Sequence, residues 1–403
     1  MREKAFIIIG AGLLQIPVIK ESLRKGFYTV VIDRNPQAAG IKLADEWINC
    51  DIADYNACVR AAAGVHAHRK AAGVITVGTD FSRTAAAVAA RLNLPGIDFQ
   101  TADKATDKIK MRKVFNKNSL PQPAFYPVLN AQDLATAARQ LDFPLVIKPA
   151  DSMGARGVQK CSSAAELETA YKSAAAFSRS NRVIVEEYIA GNELSIDALV
   201  WKGKIYICGV ADRIIEYPPY FVETGHIMPS RLDHNLLKDA ENLFKRGITA
   251  LGIKDGAAKG DIRIDKYNNT YIGEIAARLS GGFMSGFTYP YATGVNLTAN
   301  ALAIAAGQPP PDLKEKKAHC AIEKAIIAEP GYISSISGIE QAQKLPGVKN
   351  IFLKYKPGTA VTTPKNNVEK GGNVIVAAAD YNKALTIVNK VFNTINIEIK
   401  QAG

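Results

Sequence analysis

The stretch Lys259-Gly-Asp261-Ile-Arg-Ile264-Asp-Lys-Tyr-Asn268-Asn269-Thr270-Tyr-Ile-Gly-Glu274-Ile-Ala-Ala-Arg278-Leu-Ser280-Gly281-Gly282 decides how this chain is read. Gly260 to Ile264 and Thr270 to Ile275 have strand patterns, and the Asn268-Asn269 pair between them is a turn signal. The expectation is a hairpin that brings Asp261 and Glu274 near one end. Standing alone, such a pair is most often a surface ion pair. Its functional reading is that paired carboxylates on neighbouring strands hold Mg²⁺, which in turn binds nucleotide phosphates. Arg278, four residues beyond Glu274, suits charge developing on a transferring phosphoryl group, and Ser280-Gly281-Gly282 offers backbone N–H groups to an anion.

Upstream, Val146-Ile-Lys148-Pro149 reads as a strand ending in a lysine, followed by the loop Asp151-Ser152-Met153-Gly154-Ala-Arg-Gly-Val158. Glycine loops present N–H groups to phosphate oxygens, and Lys148 adds positive charge to the same place. No Gly-Lys-Ser/Thr closes the loop, so it is not a Walker motif. By itself it is an ordinary surface loop.

Residues 1–100 alternate strands (Ala5 to Ile9, Tyr28 to Ile32, Gly73 to Val77) with helices (Leu13 to Lys25, Asp54 to Ala63, Ser82 to Leu92), which implies parallel βαβ units. Gly10-Ala-Gly12 and Asp33 look like a dinucleotide fingerprint, but Gln15 stands where a third small residue is needed, so a tight strand-to-helix turn is the preferred reading. From Lys104 to Asn118 a single charged helix is expected, and Ala164 to Phe177 is another. Strand patterns at Val183 to Glu186, Leu194 to Val200 and Lys204 to Val210 point to an α+β region. After Pro309-Pro310-Pro311 come strands at Ile322 to Ala328, Ile351 to Tyr355 and Gly372 to Ala378, then a helix at Tyr381 to Asn393. The fold class is therefore α/β and α+β, divided as 1–100, 101–308 and 309–403.

Composition narrows the function. The chain has 403 residues, so two or three domains are expected. No apolar run approaches the ~20 residues that span a bilayer, and there is no signal-peptide pattern, so a soluble, cytoplasmic protein without a membrane partner is the expectation. Five scattered cysteines without CxxC spacing fit reduced thiols rather than disulfides or a zinc site. The net charge of +12 is spread along the chain without an aromatic-interleaved basic stripe, which favours a phosphate-bearing small molecule over nucleic acid.

Taken in order, these pieces resemble the ATP-grasp superfamily. Asp107-Lys108, opening a helix with Met111-Arg112, looks like its first nucleotide lysine motif, and Val146 to Pro149 like its second. The loop at 151–158, including Ser152, Met153 and Gly154, is similar to its mobile phosphate-covering loop. Val185-Glu186-Glu187-Tyr-Ile189 looks like the hinge that holds adenine through backbone groups, and Glu193 stands where the ribose-binding carboxylate usually does. Residues 1–100, with Thr79-Asp80 and Leu94-Pro95-Gly96, resemble the domain preceding the ATP-grasp domain in biotin-carboxylase-like members. Gly338-Ile-Glu340 and Leu345-Pro-Gly-Val348 resemble the C-terminal domain of amino-acid ligases.

The resemblance implies a central ATP-grasp domain whose lid covers about 114–190, with ATP and Mg²⁺ (or Mn²⁺) as cofactors. Lys108 and Lys148 would hold phosphates, Asp261 and Glu274 the metal, and Arg278 with Ser280, Gly281 and Gly282 the acyl phosphate. In Phe221-Val-Glu223-Thr-Gly-His226-Ile-Met-Pro229-Ser230, Glu223 would hold a substrate ammonium and His226 would orient a carboxylate or acyl phosphate, with Arg213 and Tyr217 in the same wall. The implied activity is ligation of a carboxylate to an amine, amino acids in particular, by a chain that forms homodimers as similar proteins do. A bicarbonate-activating enzyme and a non-catalytic ATP-binding protein are the alternatives. One departure stands out. The family commonly has Glu-x-Asn-x-Arg at the second metal strand, and the Asn position here is Ala276, which cannot ligate. Either the second metal is lost or its ligand has moved, and the retained Glu274 and Arg278 weigh against full loss of catalysis.

Overall fold

The computed structural model describes residues 3–400. Its N-terminal part is a four-stranded parallel sheet in the order Glu46–Ile48, Tyr28–Ile32, Ala5–Ile9, Ala71–Ile75. Ala5–Ile9 is central and wholly buried, as an apolar run flanked by helices on both faces must be. The last strand starts and ends two residues earlier than its apolar pattern suggests, and the short strand Glu46–Ile48 has too few residues to leave a periodic signal. Gln15 explains the glycine turn. Its side chain folds back over the turn, donates to the carbonyl of Val77, and would touch a Cβ at Gly12 at 3.0 Å, so the space a pyrophosphate would need is filled.

A second, antiparallel sheet in the order Phe125–Val128, Val183–Glu187, Leu145–Pro149, Gln159–Cys161 is covered by helices Ala131–Gln140 and Ala164–Phe177. The third is the largest. Eight strands run in the order Thr270–Ala276, Gly256–Ile264, Asn192–Trp201, Lys204–Glu216, Val222–Met228, Cys320–Ile326, Gly372–Ala378, Val348–Leu353. The C-terminal region is α+β as its sequence suggests, and three of its strands extend this sheet rather than forming one of their own. Ala360–Val361, Gly331–Ser337 and Asn396–Lys400 make a small separate sheet.

The expected helix over Lys104 to Asn118 is two helices, Phe99–Thr106 and Lys108–Lys117. Asp107 breaks it. Its backbone is extended (φ −98°, ψ 110°), and its carboxylate accepts the N–H groups of Ile109 and Lys110 at 3.0 and 3.1 Å. An aspartate N-cap satisfies donors that would otherwise be orphaned at a helix start, and it leaves Lys108 as the first residue of the new helix.

Helix His234–Leu251 buries Ala240, Leu243, Phe244, Gly247, Ile248 and Leu251 against the large sheet, at the 3–4 residue spacing of one helical face. Opposite it, strand Gly256–Ile264 alternates. Ala258, Gly260, Ile262 and Ile264 face the helix, and Lys259, Asp261 and Arg263 the other side. A Cβ at Gly260 would lie 2.5 Å from the Phe244 ring, so the helix approaches the sheet only because this residue is glycine. Gly260→Ala is expected to destabilise the protein by about 1–3 kcal/mol through overpacking, read as a lowered urea midpoint with an unchanged m-value.

Candidate active site

The three parts meet around one cavity of about 1320 Å³. Period-two alternation places the polar residues of adjacent strands on its floor in rows. Ser195, Asp261 and Glu274 form one row, and Lys259 and Ala276 the next, beside Asp197, which is wholly buried. Asp261 and Glu274 are direct cross-strand partners, so the hairpin reading of this pair is what the backbone adopts.

Lys108 and Lys148 enter the cavity from the opposite side. The Lys108 ammonium donates to the carbonyl of Ser152 at 2.9 Å and lies 3.4 Å from Glu274 Oε1. Burial disfavours its charge, but Glu274 and Asp80 more than compensate and hold it above the usual lysine range. Lys148 lies 2.6 Å from Glu186 Oε2. Burial, with the nearby charges of Arg112 and Lys108, leaves its affinity for a proton below normal.

Glu186 lies in the segment expected to hold adenine through backbone groups, an expectation on which its side chain has no bearing. Its side chain is buried and turned inward, where Arg112 donates to both carboxylate oxygens at 2.8 and 3.0 Å. Arg112 also donates to the carbonyls of Ile272 and Gly273 at 2.9 and 2.7 Å. Burial opposes ionisation of Glu186, yet the two cations hold its carboxyl at about 2. In the same segment, the N–H groups of Glu187 and Tyr188 donate to Ala124 and Pro144, and the carbonyl of Ile189 accepts from Arg263. Glu193 lies between Arg213, at 2.8 Å, and Arg263.

The loop at 151–158 lies over the cavity with Gly154, Ala155 and Gly157 all at positive φ, 67°, 59° and 68°. Met153 Sδ accepts from Thr79 at 3.6 Å, and the Gly154 carbonyl accepts from the Asn367 N–H at 3.0 Å. Arg278 donates to Asp80 through Nε at 2.6 Å, its Nη2 lying 2.5 Å from the same oxygen. Asp80 outweighs burial and raises the affinity of the guanidinium for its proton.

Ser280 departs from its expected role. Its N–H donates to Asp197 Oδ1 at 3.0 Å and its hydroxyl to Oδ2, so this amide is engaged inside the protein. Gly281 and Gly282 line the cavity. Gly282 has φ +57°, and a Cβ there would lie 2.7 Å from Glu223 Oε1. Glu223 Oε2 accepts from Arg213 at 2.9 Å, and burial is outweighed by His226 and Arg213, which keep the carboxyl well below the ordinary range. His226 Nδ1 donates to the fully buried Glu323 at 2.9 Å, which leaves Nε2 toward Glu223 at 3.6 Å. Tyr217 is not among the cavity-lining residues, whereas Arg213 is.

Several residues of this site escaped the sequence reading. Asp80 and Lys259 fall within the motifs Thr79-Asp80 and Lys259-Gly-Asp261 but have no role assigned there, and Asp197, Glu323, Asn367 and Lys370 carry no spacing that marks them. Asn367 accepts from the Glu223 N–H at 2.7 Å through its side chain, and Lys370 donates to the Glu223 carbonyl at 2.7 Å. Asp197 left one trace, since Glu193, Ser195 and Asp197 alternate with Leu194, Ile196 and Ala198 on a strand buried at the sheet centre.

The acid pair suits Mg²⁺. That ion keeps octahedral oxygen ligands and is typically held by one or two carboxylates together with substrate phosphates and water. Asp261 and Glu274 provide such a pair, half-open to the cavity, with two lysines facing it.

Residues 141–286 match the ATP-grasp domain family and residues 324–400 match the L-amino acid ligase C-terminal domain 2 family. The central part of the chain thus carries an ATP-grasp domain match. The C-terminal match, over residues 324–400, is to a domain of the L-amino acid ligases. An L-amino acid ligase from Bacillus licheniformis superposes over 100% of both chains with a TM-score of 0.85 at 22% identity, which establishes the common fold. An uncharacterized protein of Sinorhizobium fredii is 26% identical over 335 residues, 81% of this chain and 68% of the relative. The alanine–anticapsin ligase of Bacillus subtilis is 26% identical over 213 residues, 47% of this chain and 45% of the relative. This chain spans about half the length of the curated amino-acid ligases it matches. No helix among the described residues is long and apolar enough to cross a membrane.

Two predictions come from this geometry. Glu186→Ala leaves two buried cations without their common partner and is expected to lower stability by about 3–5 kcal/mol, measured by chemical denaturation. Burial pushes Asp197 up to about 6, against Ser280, Lys259 and Arg278, which favour its charge. Its ionised form accepts both Ser280 bonds. Because burial makes the closed site bind this proton more tightly than an opened, solvated carboxylate does, protonation favours the closed state, and amide exchange at 280–282, corrected for intrinsic rates, is expected to fall as pH falls through 6 and to lose that inflection in Asp197→Asn.

Proposed function

We propose that this chain is an ATP-dependent carboxylate–amine ligase that forms an amide or peptide bond from amino-acid substrates through an acyl phosphate, releasing ADP and phosphate. The observation that carries the reading is the convergence in one cavity of Asp261 opposite Glu274, two lysines beneath a glycine loop, Arg278, and the Glu223–His226 pair.

Lys108 and Lys148 bind the triphosphate of the nucleotide, and the loop at 151–158 closes over it. Asp261 and Glu274 would hold Mg²⁺ or Mn²⁺, whose chemistry there would be neutralisation of phosphate charge. The substrate carboxylate oxygen attacks the γ-phosphorus as the bond to ADP breaks. Arg278 and the Gly281 and Gly282 amides stabilise the charge that develops on the acyl phosphate. Glu223 receives the substrate ammonium through Oε1, the oxygen nearer Gly282, while Arg213 holds Oε2. His226, fixed by Glu323, orients the reacting carboxylate. The amine nitrogen then attacks the acyl carbon, the carbon–oxygen bond to phosphate breaks, and the nitrogen loses a proton. Water is kept out by the loop, tied at Gly154 and Met153 to the C-terminal and N-terminal parts.

A screen of ADP release against amino acids, singly and in pairs, with Mg²⁺ or Mn²⁺, tests this reading. Amino-acid-dependent release together with a dipeptide or amide in the mass spectrum is expected. Release that requires bicarbonate and no amino acid would instead identify a bicarbonate-activating enzyme. Arg278→Ala is expected to keep nucleotide affinity within a few-fold and to lose about 10²–10³ in turnover. Normal product formation by that variant would remove the role assigned to Arg278.

A further inference from the structure

The cavity floor carries a cation in an unexpected position. Strand Gly256–Ile264 directs Lys259 into the cavity beside Asp261, and its ammonium pairs with Asp261 Oδ1. In the transverse row, Lys259 stands between Asp197 on one neighbouring strand and Ala276 on the other. Adjacent strands are ~4.8 Å apart, so these three side chains are immediate neighbours. Ala276 offers a methyl group where a metal-ligating amide would project into the same space. The positive charge of Lys259 acts on Asp80, Asp197, Glu223 and Asp261, four carboxylates from two parts of the chain.

The residues for one divalent ion fit, and those for a second do not. An ion placed between Asp261 and position 276 would lack a donor from Ala276 and would meet an ammonium already bound to Asp261. Like charges at contact distance repel, the more so at groups as little exposed as Lys259 and Asp261.

We propose that Lys259 supplies, as a fixed ammonium, the charge that a second metal ion would bring, so that the site takes one divalent cation with its nucleotide. Lysine is suited to this because it is a compact point charge on a flexible stem. The stem lets it follow phosphate oxygens as they move, and the small Ala276 leaves it room. The substitution trades a ligand on one strand for a covalently attached cation on the next, which makes charge neutralisation independent of the concentration of free metal at that position. The inference rests on the ligase reading only in requiring that a nucleoside triphosphate occupies this cavity.

Equilibrium dialysis with Mn²⁺ and a non-hydrolysable ATP analogue, with free Mn²⁺ read by electron paramagnetic resonance, tests it without reference to turnover. One Mn²⁺ per protein–analogue complex is expected, and two for the Lys259→Ala/Ala276→Asn double variant. Two ions in the unaltered protein would overturn the proposal, as would a single ion in a double variant whose circular dichroism is native. Failure of the analogue to bind at all would overturn the nucleotide reading and this inference with it.

Discussion

A buried carboxylate shared by two cations holds the site together. Glu186 lies on the lid sheet, Arg112 on the helix that starts at Lys108, and Lys148 on the strand that feeds the glycine loop. Arg112 also grips two consecutive carbonyls, Ile272 and Gly273, immediately before Glu274. One guanidinium thus fixes three segments to each other: the helix that begins at Lys108, the sheet that carries Lys148 and Glu186, and the strand that carries Glu274. A buried charge without a partner is costly, whereas a fully hydrogen-bonded group is tolerable and geometrically demanding. That demand gives Lys148 and Glu274 a common frame although 126 positions of chain separate them (274 − 148).

Around this anchor the site is built as rows of charge on a pleated surface. Alternation sends Lys259, Asp261 and Arg263 to the same face, and neighbouring strands add Glu193, Ser195, Asp197 and Glu274 in register. Opposite charges lie side by side, so few of these groups face the cavity without a partner. Asp261 has Lys259 and Arg213, Arg278 has Asp80, and Glu223 has Arg213. Such pairing keeps ionised groups tolerable at low exposure and leaves them ready to exchange partners with a charged ligand. Contacts from both ends of the chain complete the cavity. Asp80 comes from the N-terminal sheet region, and Asn367 and Lys370 clasp the strand of Glu223 from the C-terminal side.

Much of the fold could be read from local pattern. Helix Ala164–Phe177 and strands Ala5–Ile9, Tyr28–Ile32 and Gly372–Ala378 have the boundaries their apolar periodicity indicates. Asp261, Glu274 and Arg278 stood out because a turn signal between two strand patterns fixes which residues face each other. Where reading failed, a single side chain had overridden the pattern. Asp107 caps a helix and splits a continuous charged stretch. Glu186 lies in a hinge-like segment, yet its partners are 74 and 38 positions upstream (186 − 112 and 186 − 148), so nothing local shows that it faces inward.

The sequence by itself determined the elements, the alternation that puts polar side chains on one face of the central strands, and the motif order that resembles an ATP-grasp ligase. These depend on interactions within a few residues, where backbone geometry and side-chain period leave little choice. Only the tertiary structure decided which charges meet: that Ser280 turns to Asp197, that Arg278 rests on Asp80, and that Lys259 lies beside Ala276. The physical reason is that a charged pair is selected by distance in space and by the burial around it, and neither is written in the spacing of residues along the chain.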